Sequence, residues 1–120
     1  MVPAKLSLKS LAHRLVGRLE ERGIAVEALY LFGSHARGQA APESDLDLLL
    51  VSSAFAEQSF WARCARVGEA LGDLPEPVQV YPVTRSELHG PEPGGFLASI
   101  RPDLRLLYIR SKARSKIGRS

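Results

Sequence analysis

The chain has 120 residues, enough for one compact domain with a small core and little room for a second. With 45% apolar and 24% charged residues it has the composition of an ordinary globular protein, and no apolar run approaches the roughly 20 residues of a membrane-spanning helix. The net charge of +3 suggests nucleic acid only until its position is considered: Arg110, Lys112, Arg114, Lys116 and Arg119 crowd the last eleven residues, and removing those five from 16 leaves 11 basic against 13 acidic residues.

A domain over residues 1–110 is therefore expected, followed by a basic tail over 111–120. The tail lacks aromatics and periodicity and reads as disordered. Nucleic acid is not an expected partner. Lys5, Lys9 and His13 break every apolar run near the N-terminus, which argues against a signal peptide, and the single Cys64 cannot form an internal disulfide. Both point to a reducing cytoplasm.

In chain order, Leu8, Leu11, Ala12, Leu15, Val16 and Leu19 recur at helical spacing, with Ser7 as N-cap and Gly23 as stop. Residues 24–32 form an apolar strand broken only by Glu27, ending at Gly33-Ser34. A short helix over 34–37 and a loop over 39–44 follow, then a second strand over 45–51. Residues 55–71 read as a helix, its apolar stripe marked by Phe55, Phe60, Trp61, Cys64, Val67 and Leu71, with Gly72 as stop. A third strand is expected over 78–83, helical turns over 86–89 and 96–100, and a final strand over 104–109 in which Leu106 and Tyr108 alternate against Leu107 and Ile109. Helices between strands predict an α/β (α+β) domain: a mixed sheet of about four strands with helices packed on it.

Chemistry concentrates between positions 33 and 47. Asp45 and Asp47 interleave with Leu46, Leu48, Leu49, Leu50 and Val51 in a run otherwise wholly apolar. Strand side chains alternate, so the two carboxylates share one side and the even-numbered leucines the other. Paired carboxylates repel, and a divalent cation resolves the conflict; magnesium takes one or two carboxylates together with substrate phosphates. Gly33 allows a backbone to approach a phosphate closely, amides opening a helix point toward it, and the Ser34 hydroxyl can donate another hydrogen bond. The bland alternatives are a strand-ending turn at Gly33 and an N-cap at Ser34. Arg37 has two readings, a phosphate contact or a salt bridge to Asp45 or Glu43.

Gly33-Ser-His-Ala-Arg-Gly38 followed by Ser44-Asp-Leu-Asp47, with ten residues between Ser34 and Asp45, resembles the signature of the DNA polymerase β-type nucleotidyltransferases. The spacing is similar to that of the minimal nucleotidyltransferases (MNT) of HEPN/MNT toxin–antitoxin pairs. The resemblance implies a nucleotidyltransferase fold and two-metal chemistry. Asp45 and Asp47 would ligate Mg2+, and Gly33 and Ser34 would hold the triphosphate. AMP would pass from ATP to an acceptor hydroxyl, on a small helical HEPN-type partner. The family pattern also places a third carboxylate on the following strand, where this chain has Gln79 in Val78-Gln79-Val80-Tyr81. An amide can offer an oxygen but neither charge nor a base. Glu76 and Glu87 are the candidate replacements. If neither serves, the chain is a degenerate, nucleotidyltransferase-like binding module that neutralises its partner by contact.

Elsewhere, His35 reads as a variable helix position, and His13 and His89 as surface residues without a spaced metal partner. Cys64 reads as a buried structural thiol. Phe60 and Trp61 are adjacent and cannot both face one core, so one of them marks a surface.

Overall fold

Leu11, Leu15 and Leu19 form one buried stripe on α1, Lys5–Glu21. The helix starts before Ser7, which therefore lies inside it and is not its N-cap. The computed structural model describes residues 5–39, 45–74, 77–90 and 95–110. After α1 come β1 (Ala28–Phe32), α2 (Gly33–Ala36), β2 (Leu46–Val51), a 3-10 turn (Ser53–Phe55), α3 (Phe60–Leu71) and β3 (Val78–Val83). The chain continues through α4 (Arg85–His89), α5 (Gly95–Ile100), a second 3-10 turn (Arg101–Asp103) and β4 (Arg105–Ile109).

The four strands form one mixed sheet in the order β3-β2-β1-β4. β1 runs antiparallel to both β2 and β4, and β2 runs parallel to β3, with α3 as the crossover. The sheet is covered on both faces. Leu29, Leu31, Leu46, Leu48 and Leu50 pack under α1 and α3, while Ala28, Phe32, Leu49, Val51 and Val83 pack under Leu88 of α4 and Leu97 and Ile100 of α5. This is why β2 reads as a nearly continuous apolar run: it is central and buried from both sides. β3 is an edge strand and carries Pro82, opposite Leu50 in register.

Three elements depart from the sequence expectation. Ile24 and Val26 are buried but precede β1, because the Ile24 amide donates to Leu19 O and the Val26 amide to the Glu20 carboxylate, closing α1. The helix expected over 55–71 is broken. Glu57 adopts φ 64, and the Ser59 side chain caps the Ala62 amide, so α3 starts only at Phe60. Phe55 is buried from the preceding turn, whereas Phe60 and Trp61 are 48% and 80% exposed and Arg63 takes a buried position. In β4 the pairs Leu29↔Tyr108 and Tyr30↔Leu106 leave Leu107 as a bulged residue. Leu107 and Tyr108 consequently pack on the same face, which ends the expected alternation, and Leu106 and Ile109 are exposed.

Cys64 is half-buried, not buried: with Val67, Leu71, Leu74 and Val78 it lines an open groove between α3 and β3. Arg110 closes the described fold, its guanidinium 2.7 Å from the Glu20 carboxylate and its amide on Glu27 O. The expected tail, residues 111–120, lies outside the described residues. No described helix is long and apolar enough to cross a membrane.

Candidate active site at one end of the sheet

The register brings the motif together. Phe32 pairs with Asp47 across β1 and β2, and Asp47 pairs with Gln79 across β2 and β3. Directly opposed residues share a face, so Phe32, Asp47 and Gln79 form one row on the α5 side of the sheet. Asp45 stands just before β2, and Gly33 opens α2 just after β1. Asp45, Asp47, Gly33, Ser34 and Gln79 thus meet at the end of the sheet where β1 stops and β2 and β3 begin.

Gly33 is required twice. Its φ of +78 is a conformation side chains disfavour, and a Cβ at this position would collide with Asp47 Oδ2. The Gly33 turn and the Asp47 carboxylate are therefore in direct contact. α2 is a single turn with Phe32 at its N-cap and no side-chain cap; Ser34 is its second residue, so the N-cap alternative for Ser34 does not hold.

Burial raises the Asp47 carboxyl above its ordinary pKa, and the neighbouring Asp45 charge adds to the rise; His35 and Arg37 oppose it. The donor set suits magnesium: two carboxylates supply hard oxygens, and Asp47 is destabilised as an anion. Among the described residues no group of three or more His, Cys, Asp or Glu side chains could form a richer metal site.

Gln79 occupies the expected third-acid position and makes two contacts there. Its Nε2 donates to Asp45 Oδ2 at 3.2 Å, and its Oε1 accepts from the Tyr81 hydroxyl at 3.4 Å. Glu87 does not replace it. It follows the opposite end of β3, where Arg63 donates to both its oxygens at 2.8 Å and its Oε1 accepts from the Thr84 amide in a capping box. Glu76 lies outside the described residues. Arg37 forms its ion pair with Asp103 at 3.4 Å and also donates to Gln39, so the expected salt bridge to Asp45 is not made; Glu43 lies outside the described residues. Tyr81, Asp103 and the Arg63–Glu87 pair gave no local sequence signal, since each depends on contacts set by the strand order.

Among curated proteins no sequence matches the chain closely enough to serve as a relative. Among solved structures, a protein of Sulfolobus solfataricus provisionally described as a nucleotidyltransferase superposes with a TM-score of 0.66 at 23% identity, over 90% of this chain and 86% of that one. A chain from a toxin–antitoxin crystal structure with AMP-PNP aligns at 0.49 and 15% identity, over 88% of this chain and 77% of that one. The first likeness speaks for the fold; the second is too distant to carry an argument. The family model of the nucleotidyltransferase domain matches residues 13–115, from within α1 to beyond β4. Because that span covers the whole sheet and not the motif alone, the chain belongs to the nucleotidyltransferase domain family.

Proposed function

We propose that the chain binds Mg-ATP at the β1–β2 end of the sheet and passes AMP to an acceptor hydroxyl. The observation that carries this is the contact between the Gly33 turn and the Asp47 carboxylate, which sets the backbone amides that open α2 beside a hard oxygen ligand. Asp45 and Asp47 hold the magnesium, and Gly33 and Ser34 hold the triphosphate. Arg37 reaches the phosphates once released from Asp103. When bound, magnesium neutralises charge on the reacting phosphate and on the leaving oxygen. The acceptor oxygen forms a bond to the α-phosphorus, the bond to the bridging oxygen breaks, pyrophosphate leaves, and the acceptor's proton passes to solvent. Positioning and charge neutralisation supply most of the acceleration.

The acceptor we favour is a small helical HEPN-type protein in the same cytoplasm, on the resemblance of the Gly33–Asp47 motif and its spacing. Gln79 favours a second reading. An uncharged side chain already bonded to Asp45 neither binds a second cation strongly nor takes the acceptor's proton. Under that reading the chain keeps the nucleotide and neutralises its partner by contact.

Calorimetry of ATP with and without magnesium, on the wild type and on Asp45→Asn and Asp47→Asn, tests the site. Binding that needs magnesium and both carboxylates is expected. Equal affinity in every case would remove the site from consideration. A labelled-ATP assay with the partner present separates enzyme from binding module.

A further inference from the structure

Three aromatic rings meet on the sheet face that carries Asp47 and Gln79. Phe32 precedes Gly33 and pairs with Asp47; Tyr81 stands two residues beyond Gln79 on the same face; Phe96 comes from α5. The ring centroids are 5.4 Å apart for Phe32–Tyr81, 5.7 Å for Phe32–Phe96 and 5.1 Å for Tyr81–Phe96. Phe96 therefore bridges β1 and β3 across β2, on the face that carries Asp47. Tyr81 and Phe96 are tilted by 31° to each other, and the Tyr81 hydroxyl donates to Gln79 Oε1 at 3.4 Å.

Burial separates the three. Phe32 is 4% exposed and belongs to the core, whereas Phe96 is 46% exposed. Leu97 and Ile100 already seat α5 on the sheet. Phe96 adds a supported ring with one part open to solvent, packed on the Phe32 ring whose residue immediately precedes the Gly33 turn. A backed, half-open ring suits a flat aromatic ligand, since offset and tilted ring pairs are favourable and every base has a π-face.

We infer that Phe96, backed by Tyr81 and Phe32, is the stacking surface for the nucleobase of the bound triphosphate. This rests on the placement of the phosphates at Gly33 and Ser34 proposed above. The base is the occupant, not an acceptor side chain, because Phe32 joins the ring cluster directly to Gly33, and base and triphosphate belong to one ligand. Selection is by stacking area, so purine triphosphates bind more tightly than pyrimidine ones, with ATP and GTP close to each other.

The experiment measures binding of Mg-ATP and of Mg-tripolyphosphate, which has no base, to the full chain and to Phe96→Ala and Phe96→Trp. A urea melt of each variant checks the fold. Stacking is worth about 1–3 kcal/mol per base, or about 5- to 150-fold in affinity. Phe96→Ala is expected to weaken Mg-ATP by a factor in that range while leaving Mg-tripolyphosphate within about twofold, and Phe96→Trp to retain ATP affinity. Unchanged ATP affinity in Phe96→Ala overturns the proposal, as does an equal loss for both ligands, which makes Phe96 a support of the phosphate site alone. If the wild type binds neither ligand, the phosphate site itself is wrong and this proposal falls with it. If it binds both and Phe96→Ala does not distinguish them, only the stacking surface is wrong.

Discussion

Gly33 and Asp47 meet so closely that a single methyl group on one would strike the carboxylate of the other. Gly38 makes a natural control, since it also has a positive φ, of +71, but nothing within 4 Å of the added carbon. Gly38→Ala meets only the conformational penalty, about 1–2 kcal/mol. Gly33→Ala meets that penalty and the collision, so it should be the more destabilising in urea and should also abolish Mg-ATP binding. Equal stability losses, with nucleotide binding intact in both, would show that the contact has no functional weight.

The parallel register sets Gln79 beside Asp47, so Gln79→Asp places a third carboxylate in the same row. Wild type should bind Mg-ATP and transfer AMP slowly, and Gln79→Asp should be faster, within the roughly 10²–10⁴-fold range of general-base assistance. Three clustered carboxylates also repel, so magnesium should raise the melting temperature of Gln79→Asp more than that of wild type. A variant whose melting is insensitive to magnesium would place position 79 outside the cation's reach.

Arg63 is a buried cation with two jobs in one place. It donates to the carbonyls of Gln58 and Pro82 and to both oxygens of Glu87. Arg63→Ala strands these acceptors and should destabilise the fold by about 2 kcal/mol. The hydrogen bond from Arg63 holds Glu87 below its ordinary value of 4.5, against the opposing effect of burial. The stability this lends is therefore complete above pH 4.5 and is lost as the pH falls through the lower folded value. With the Glu87 side chain 42% exposed, solvent limits it to about 1 kcal/mol or less. The stability gap between wild type and Glu87→Gln should narrow on acidification, and Mg-ATP affinity at pH 7 should be equal in the two. A gap constant from pH 7 to pH 3 contradicts the assignment.

Arg37 is held by an acid outside the proposed site. Asp103→Asn should free it for the triphosphate and raise ATP affinity, by up to about fivefold at low salt given the weakness of an exposed pair. Arg37→Ala should lower affinity, and added salt should shrink both effects. No response to either substitution would leave Arg37 as a surface tie between α2 and the turn before β4.

The central strand was legible because β2 is buried on both faces, so Asp47 is conspicuous among its leucines. Gly33 was legible because it ends an apolar strand. Periodicity could not show the break before α3, since Glu57 is an uncommon residue for positive φ and Phe55 has the spacing of a helix residue without the geometry. The bulge at Leu107 was hidden for a similar reason: its residues are strand formers whichever way they face. Phe96 and Tyr81 are 15 positions apart and meet only because α5 crosses the sheet. Nothing local marks Arg63 for burial, because its long-range acceptors come from β3 and α4.

Pro82 governs what the β3 rim of the sheet can do. The carbonyls of Pro77 and Val83 accept from the amides of Leu46 and Ser52, so the odd-numbered residues of β3 turn their backbone groups toward β2. Pro82 belongs to the outward set, where proline removes the donor and Arg63 Nη1 occupies the carbonyl at 3.2 Å. Within β3 only Val78 and Val80 retain both outward backbone groups of this kind, a stretch too short to template a foreign strand. The β3 edge thus resists intermolecular sheet growth without any loss to the internal ladder.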